Sequence, residues 1–340
     1  MSDHTKAWEK FDDWIKQGIE MRASDLHLVP GYKPSLRVDG TLKPIDDMIL
    51  NSEQTHWIGV CLFGNSVSYE LAGAGARHLA RTHGDIIVDI TVASAGGNKT
   101  VCVRMHGGEI PSFEKVDLPE RTIELLKAPN GIILVAGPNG SGKTTTLYSM
   151  TDWINANRAV HICTVEQPRH YVFKRKQAIV QQREVGLDGP SAATLVEVSM
   201  KQDPDVIMVG DVEDFETLAG ILHAAETGHL VLVQVHAKDA RDAVERIIDA
   251  APQSMHTQVK RQLGECLRGI TIQRLAKFAD GKVRRAVYDV MNESARKLVN
   301  GATPDAGYYL ARAVDQVGTH EKAGSITREE GERLRHEFGA

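Results

Sequence analysis

The sequence predicts an α/β protein whose larger part is a parallel sheet covered by helices, and three observations carry that prediction. Four apolar runs, at 132–136, 160–165, 206–210 and 230–235, are short and nearly uninterrupted, as strands buried on both faces must be. Helical patterns at 145–157, 194–201, 216–226 and 240–250 lie between or after them, and such alternation builds parallel sheets with helices on their faces. Polar candidates then follow each strand in turn: Lys143 with Thr144, Glu166, Asp211 and His236. Ligands of open α/β sheets bind beyond the carboxyl ends of the strands, so these positions fall where chemistry is expected.

The elements ahead of this sheet differ. Trp8, Phe11, Trp14, Ile15 and Ile19 recur at helical spacing and predict an amphipathic opening helix. Ser24-Asp25-Leu26-His27-Leu28 and Ser35-Leu36-Arg37-Val38 alternate like strands, with Asp39-Gly40 as a hairpin turn signal. Further strand patterns at 86–92 and 99–104 flank Gly96-Gly97-Asn98. Residues 1–112 are therefore expected to form a small α+β domain ending at Ile110-Pro111-Ser112, and residues 113–285 the α/β domain. Past Ala286 the pattern becomes mostly helical, so 286–340 is expected as a helical C-terminal region with a polar tail from about Gly318. The basic run Lys174-Arg175-Lys176 reads as a solvated hairpin face.

A chain of 340 residues is long for one core, which agrees with several domains. Its hydrophobic content of 42% and charged content of 25% are those of a soluble globular protein. A net charge of −5 gives no reason to expect nucleic acid or an anionic membrane as partner. No apolar run is long enough to span a bilayer, and no signal-peptide core is expected at the start. Cys61, Cys102, Cys163 and Cys266 are scattered without a CxxC pair, so neither zinc nor a disulfide framework is expected, and Cys163 reads as core.

Gly137-Pro138-Asn139-Gly140-Ser141-Gly142-Lys143-Thr144 fits the phosphate-loop pattern GxxxxGK[ST], set between a buried strand and a helix that includes Thr145. Glycines let backbone N–H groups turn toward an anion, and the helix N-terminus adds favourable electrostatics. Lys143 is placed to pair with the outer phosphates and the Thr144 hydroxyl to ligand Mg²⁺, so ATP with Mg²⁺ is the expected ligand. Glu166, at a strand end, is expected to polarise water or hold the metal through water, and Asp211 to act as general base or metal ligand. His229 and His236 bracket one strand and form a candidate phosphate-sensing pair.

In their order these motifs resemble the type IV pilus retraction ATPase (PilT) family within the secretion-ATPase superfamily. Ser24-Asp25-Leu26-His27-Leu28 and Arg37-Val38-Asp39-Gly40 look like its SDLHL and RVDG signatures, and residues 137–145 like its Walker A. Thr164-Val165-Glu166-Gln167-Pro168 stands at its aspartate box, followed by Gln182-Arg183-Glu184-Val185. The stretch from Asp203 to Asp211 looks like its Walker B, and Ala225-Glu226-Thr227-Gly228-His229-Leu230 with His236 like its histidine box. No tetracysteine insertion is present, as in retraction-type members. The resemblance implies a RecA-like P-loop ATPase domain behind an N-terminal PAS-like domain. It also implies a homo-hexameric ring and an Arg104 that contacts nucleotide from the first domain. A cytoplasmic site at the inner membrane follows, against a pilus or secretion platform protein, with no membrane insertion.

Several positions depart from the family pattern. Asp211 replaces the Walker B glutamate and Glu213 the following arginine, although Asp214 is kept. Gln167 and His170 replace acidic residues, Asp85 and Ile87 stand where the family has arginines, and Ala237 and Lys238 replace threonines. These changes leave two alternatives beside the retraction motor. One is a ring subunit or regulator that binds nucleotide and hydrolyses it weakly. The other is a sister ATPase of a type IVB secretion or conjugation system.

Overall fold

The computed structural model describes residues 5–21, 23–38, 40–64, 75–83, 86–106, 109–279 and 284–339. Asp39 of the expected hairpin turn and Asp85 lie outside the described residues. The chain divides into two compact units, Met1–Glu109 with Arg169–Val172 and Ile110–Pro168 with Phe173–Ala340.

In the first unit, helix α1 (Thr5–Glu20) buries Ala7, Phe11, Trp14 and Ile15, the stripe its spacing predicts. Strands β1 (Asp25–Leu28), β2 (Ser35–Val38) and β3 (Thr41–Pro44) precede helix α2 (Ser52–Phe63), and β4 (Ala76–His83), β5 (Ile86–Ala95) and β6 (Asn98–His106) follow it. They form an antiparallel sheet of order β3-β2-β1-β6-β5-β4. Gly96 and Gly97 join β5 to β6 with φ of 56° and 82°. Two left-handed residues are what a tight hairpin turn requires, and glycine adopts them without steric cost. Leu26, Leu28, Leu36, Val88, Ile90, Val101 and Val103 alternate with outward residues and share one core with the α1 stripe. Helix α2 starts at a capping box: Asn51 accepts from the Gln54 N–H at 2.9 Å and Gln54 accepts from the Asn51 N–H at 2.9 Å. Its pattern, like those of β3 and β4, is not conspicuous in the sequence.

The second unit opens with the short helix α3 (Ile123–Leu126), followed by β7 (Gly131–Gly137), α4 (Lys143–Asn157), β8 (His161–Glu166) and β9 (Ile179–Glu184). Next come α5 (Ala192–Met200), β10 (Val206–Val209), α6 (Phe215–Glu226), β11 (Leu230–His236), α7 (Ala240–Asp249) and α8 (His256–Cys266). Strands β12 (Leu267–Lys277), β13 (Arg284–Met291) and β14 (Tyr309–Ala311) precede helices α9 (Ala313–Lys322) and α10 (Arg328–Glu337). One eight-stranded sheet results, ordered β14-β13-β12-β7-β11-β10-β8-β9. Strands β12 to β9 in that order run parallel, and β13 and β14 join antiparallel at one edge. Ile132, Leu134, Ile207, Val209, Val231, Val233 and Val235 line one face and pack with α5, α6, α7 and α8. Leu147, Tyr148, Met150 and Ile154 of α4 are also fully buried.

Two local readings change. Strands β8 and β9 are parallel, so Lys174-Arg175-Lys176 lies on a crossover connection and not in a hairpin; all three side chains are exposed, as solvation demands. Position 286 falls inside β13, whose pairing with β12 holds it in the sheet. Residues after it contribute β14 as well as helices, because an edge strand is specified by its distant partner and not by local periodicity. No helix among the described residues is long and apolar enough to cross a membrane.

Candidate functional site

Strand β7 is buried along its whole length and delivers the chain to the carboxyl edge of the sheet at Gly137. A side chain there would place its Cβ 2.6 Å from both the Gln273 carbonyl oxygen and the Ser141 hydroxyl, so only glycine fits. Gly140 and Gly142 take left-handed backbone, with φ of 71° and 87°. Between them the loop reverses and opens α4, with Gly142 as its N-cap. Pro138, Asn139 and Gly140 are exposed, while Thr144 and Thr145 are half-buried on the first helical turn. The first N–H groups of a helix have no partner within it, which suits an anion. The underside of the loop is held by Gln273 of β12, whose Nε2 donates to the Ser141 carbonyl at 2.6 Å. The Ser141 hydroxyl is buried and has no hydrogen-bond partner among the described residues.

Lys143 is only 4% exposed. Its ammonium donates to the Pro138 carbonyl at 2.9 Å and to His236 Nδ1 at 3.1 Å. An ammonium has no lone pair, so Nδ1 is the acceptor and the imidazole proton sits on Nε2. That nitrogen lies 3.3 Å from Asp211 Oδ2. A chain of ammonium, imidazole and carboxylate thus crosses the top of β11 and reaches the loop after β10. Burial pulls the Lys143 amine below its ordinary range, and the Asp211 charge opposes that pull. The other Asp211 oxygen accepts from the Val212 N–H at 2.8 Å. Beside this chain the Thr144 hydroxyl donates to Gln234 Oε1 at 2.8 Å. A cleft of about 670 Å³ borders the same group and is lined by Asp211, Gln234, His236 and Arg246 among others.

Glu166 closes β8 and stands apart from the loop. Strands β11 and β10 intervene between β7 and β8, a separation of roughly 14 Å at about 4.8 Å per strand. Its carboxylate is 3% exposed and accepts at Oε1 from the Thr164 hydroxyl and from Gln182 Nε2 at 3.1 Å. It sits next to Gly210, whose N–H donates to the Val165 carbonyl at 2.9 Å. His229 is not brought to the loop at all. It precedes β11, whereas His236 ends it, so the strand holds the two at opposite edges of the sheet. His229 Nδ1 contacts the Ala224 carbonyl at 2.8 Å and closes the turn between α6 and β11. The bracketing that suggested a pair in sequence is what separates them, since a strand advances about 3.3 Å per residue. Arg104 belongs to the first unit, where its Nε donates to Asp25 at 3.1 Å.

Gln234, Gln273 and Tyr288 had given no signal. Gln234 is the one polar side chain in the run 230–235, which was the available clue there, whereas β12 and β13 carry other polar and charged residues and mark neither Gln273 nor Tyr288. Tyr288 is fully buried on β13; its hydroxyl donates to the Val116 carbonyl at 2.7 Å and lies 3.3 Å from the Thr146 hydroxyl. Burial pushes its phenol above the ordinary range. The departures also find places: Asp214 caps α6 by accepting from the Thr217 N–H at 2.6 Å, and Glu213 is exposed beside it.

Comparison with known proteins places this arrangement. The family described as type II/IV secretion system protein matches residues 112–335. The type IV pilus ATPase PilU of Pseudomonas aeruginosa is 32% identical over 289 residues, covering 83% of this chain and 74% of that protein. The type IV pilus retraction ATPase PilT of the same organism is 31% identical over 288 residues, with coverage of 81% and 79%. Among solved structures, the pilus retraction motor PilT with bound ADP superposes with a TM-score of 0.82 at 35% identity, covering 93% of this chain and 94% of that one. The chain belongs to the type II/IV secretion system protein family, among its PilT-like ATPases.

Proposed function

We propose that this chain is an ATPase of the pilus-retraction type, binding ATP on the 137–145 loop and hydrolysing it to do mechanical work. The observation that carries the reading is Lys143: a nearly buried ammonium at a helix N-terminus, held by two acceptors that a polyphosphate can replace. The loop fits a nucleotide in a second respect, because the buried Ser141 hydroxyl offers a donor that a phosphate oxygen satisfies. Among the described residues no group of three or more acidic, histidine or cysteine side chains could hold a metal alone. That suits Mg²⁺, which takes few protein ligands and several from phosphate and water. Thr144 and Asp211 are the residues that would hold it, and it would supply neutralisation of the phosphate charge.

In this reading Lys143 leaves Pro138 and His236 for the outer phosphates. The released His236 Nδ1 becomes free to accept a proton, while Asp211 fixes the ring orientation through Nε2. Asp211, in the loop after β10, and Glu166, at the end of β8, share the work of orienting the attacking water. The first unit corresponds to a PAS-like domain and the second to a RecA-like domain. The assembly is a homo-hexamer in the cytoplasm, docked peripherally on an inner-membrane platform protein.

One observation favours a slow version of the same enzyme. Both Asp211 oxygens are engaged, one by His236 and one by the Val212 N–H, so its short carboxylate is directed along the sheet edge. Steady-state ADP release by the purified protein with Mg²⁺ and ATP, set against Lys143→Ala, tests the proposal. Lys143→Ala should lose on the order of a hundredfold in ATP affinity or more, since its charge-assisted bonds to phosphate are the strongest the loop can make. Unchanged affinity in that variant removes the assigned site. Light scattering with ATP and Mg²⁺ tests the ring; a monomer at high micromolar concentration counts against a motor.

A further inference from the structure

We propose that Gln234 is a positioning residue for the metal: it takes the hydroxyl proton of Thr144 and thereby turns the oxygen lone pairs toward Mg²⁺. The role rests on the nucleotide reading given above. A threonine hydroxyl has one proton and two lone pairs, so it serves a cation well only when its proton is committed elsewhere. Here the commitment is built in. Thr144 Oγ1 donates to Gln234 Oε1 at 2.8 Å, and Gln234 is 8% exposed, so bulk water competes little for either partner.

The fold explains why this side chain arrives there. Gln234 pairs with Val135 on β7, beneath the start of the loop, and His236 pairs with Gly137 two residues on. Side chains two apart on a strand share a face. Val233 and Val235 point into the core on the opposite face, which leaves Gln234 and His236 toward α4. Two successive residues on this face of β11 therefore hold two successive residues of the helix, His236 taking Lys143 and Gln234 taking Thr144. The first pair places the cation for the phosphates and the second orients the hydroxyl for the metal.

Without the glutamine, the hydroxyl proton loses its fixed acceptor, so the hydroxyl is free to rotate and its lone pairs turn with it. An amide acceptor has two further properties. It is neutral, so its hold on Thr144 does not change with pH. It also adds no negative charge, so Mg²⁺ affinity rests on the nucleotide phosphates and on Asp211.

The test measures binding of a non-hydrolysable ATP analogue by calorimetry in EDTA and then across a Mg²⁺ titration, for wild type, Gln234→Leu and Gln234→Glu. The quantity read is the gain in nucleotide affinity that Mg²⁺ confers. In Gln234→Leu the Mg²⁺-free affinity should stay within about twofold of wild type, while the Mg²⁺ requirement rises about tenfold to a hundredfold, the usual loss when the partner of a metal ligand is removed. In Gln234→Glu the acceptor remains and carries charge, so the gain from Mg²⁺ should equal or exceed that of wild type. An unchanged Mg²⁺ titration in Gln234→Leu overturns the proposal. So does a Gln234→Glu that loses the Mg²⁺ gain as Gln234→Leu does, because the amide would then have been donating to Thr144. A Gln234→Leu that loses Mg²⁺-free binding shows a support for the loop and overturns the metal role, leaving the nucleotide site intact. Wild type that binds no analogue in EDTA or Mg²⁺ overturns the site reading itself.

Discussion

The two edges of the parallel sheet carry polar side chains of the same kinds and use them differently. At the amino edge, His229 contacts the Ala224 carbonyl, His161 contacts the Asp203 carbonyl at 3.2 Å, and Asp205 accepts from the His161 N–H at 2.8 Å. Each of these bonds closes a turn by satisfying backbone. At the carboxyl edge, Lys143 binds His236, His236 meets Asp211, and Thr144 binds Gln234. These bonds run mainly between side chains, so a ligand can displace one partner without unfolding a turn. Helices that follow the strands direct their positive ends to this edge. A histidine's function here is decided by which end of a strand it occupies.

Substituting the two histidines should separate the edges most sharply. His236→Ala removes the ring that joins Lys143 to Asp211, and turnover should fall about a hundredfold, the scale of loss when positioning fails. His229→Ala should leave nucleotide affinity within about twofold, and cost about 1 kcal/mol of stability for its bond to the turn. Steady-state kinetics and urea unfolding of both variants decide this. If His229→Ala loses turnover as His236→Ala does with stability unchanged, the contrast between the edges fails.

The next effect concerns the floor of the loop. Gln273 is fully buried and supplies a donor to the Ser141 carbonyl. Gln273→Leu leaves that carbonyl without it and should cost about 1–3 kcal/mol of stability, the penalty of an unsatisfied buried polar group. Stability equal to wild type would show that water or another donor takes its place.

Such residues also mark the limit of what the sequence discloses. Strands β7, β10 and β11 are legible because a strand covered on both faces is an apolar run, and the glycine loop because its backbone demands residue types. Lys143, Asp211 and His236 are legible by their place after those strands. Gln273 is not: it lies 132 positions from Ser141, and only the pairing of β12 with β7 brings them together. The distance of Glu166 from the loop is hidden for a related reason. Strand order is a long-range property, and the insertion of β11 and β10 between β7 and β8 has no local signature. Strands β13 and β14 were read as part of a helical tail because antiparallel edge pairing depends on a partner, not on a period.

A smaller effect is expected at Asp211. A glutamate there reaches one methylene further, so Asp211→Glu should raise turnover several-fold to about tenfold with little change in nucleotide affinity. Slower turnover would show a site rebuilt around the shorter carboxylate.

The smallest effect is a fraction of a proton, and it examines the carboxyl edge directly. In the free protein burial lowers the Lys143 pKa, and Asp211 only partly restores it. Bound polyphosphate favours the charged amine and raises that pKa again. Between the two values the protein must take up a proton as it binds nucleotide, so affinity should decline as pH rises through the lowered value. The same shift acts on folding: the unfolded chain holds this proton more tightly, so stability of the free protein should gain with pH over that alkaline window. Calorimetry of nucleotide binding in two buffers of different ionisation enthalpy reads the uptake. It should be positive between the lowered and the restored Lys143 values and fall toward zero as pH drops below the lowered one. Asp211→Asn removes the charge that holds the Lys143 pKa up, so its uptake should begin closer to neutrality. Proton release at alkaline pH, or an onset in Asp211→Asn at the same pH as wild type, would show that Lys143 is not electrostatically joined to Asp211 and that the linked edge is only an arrangement of neighbours.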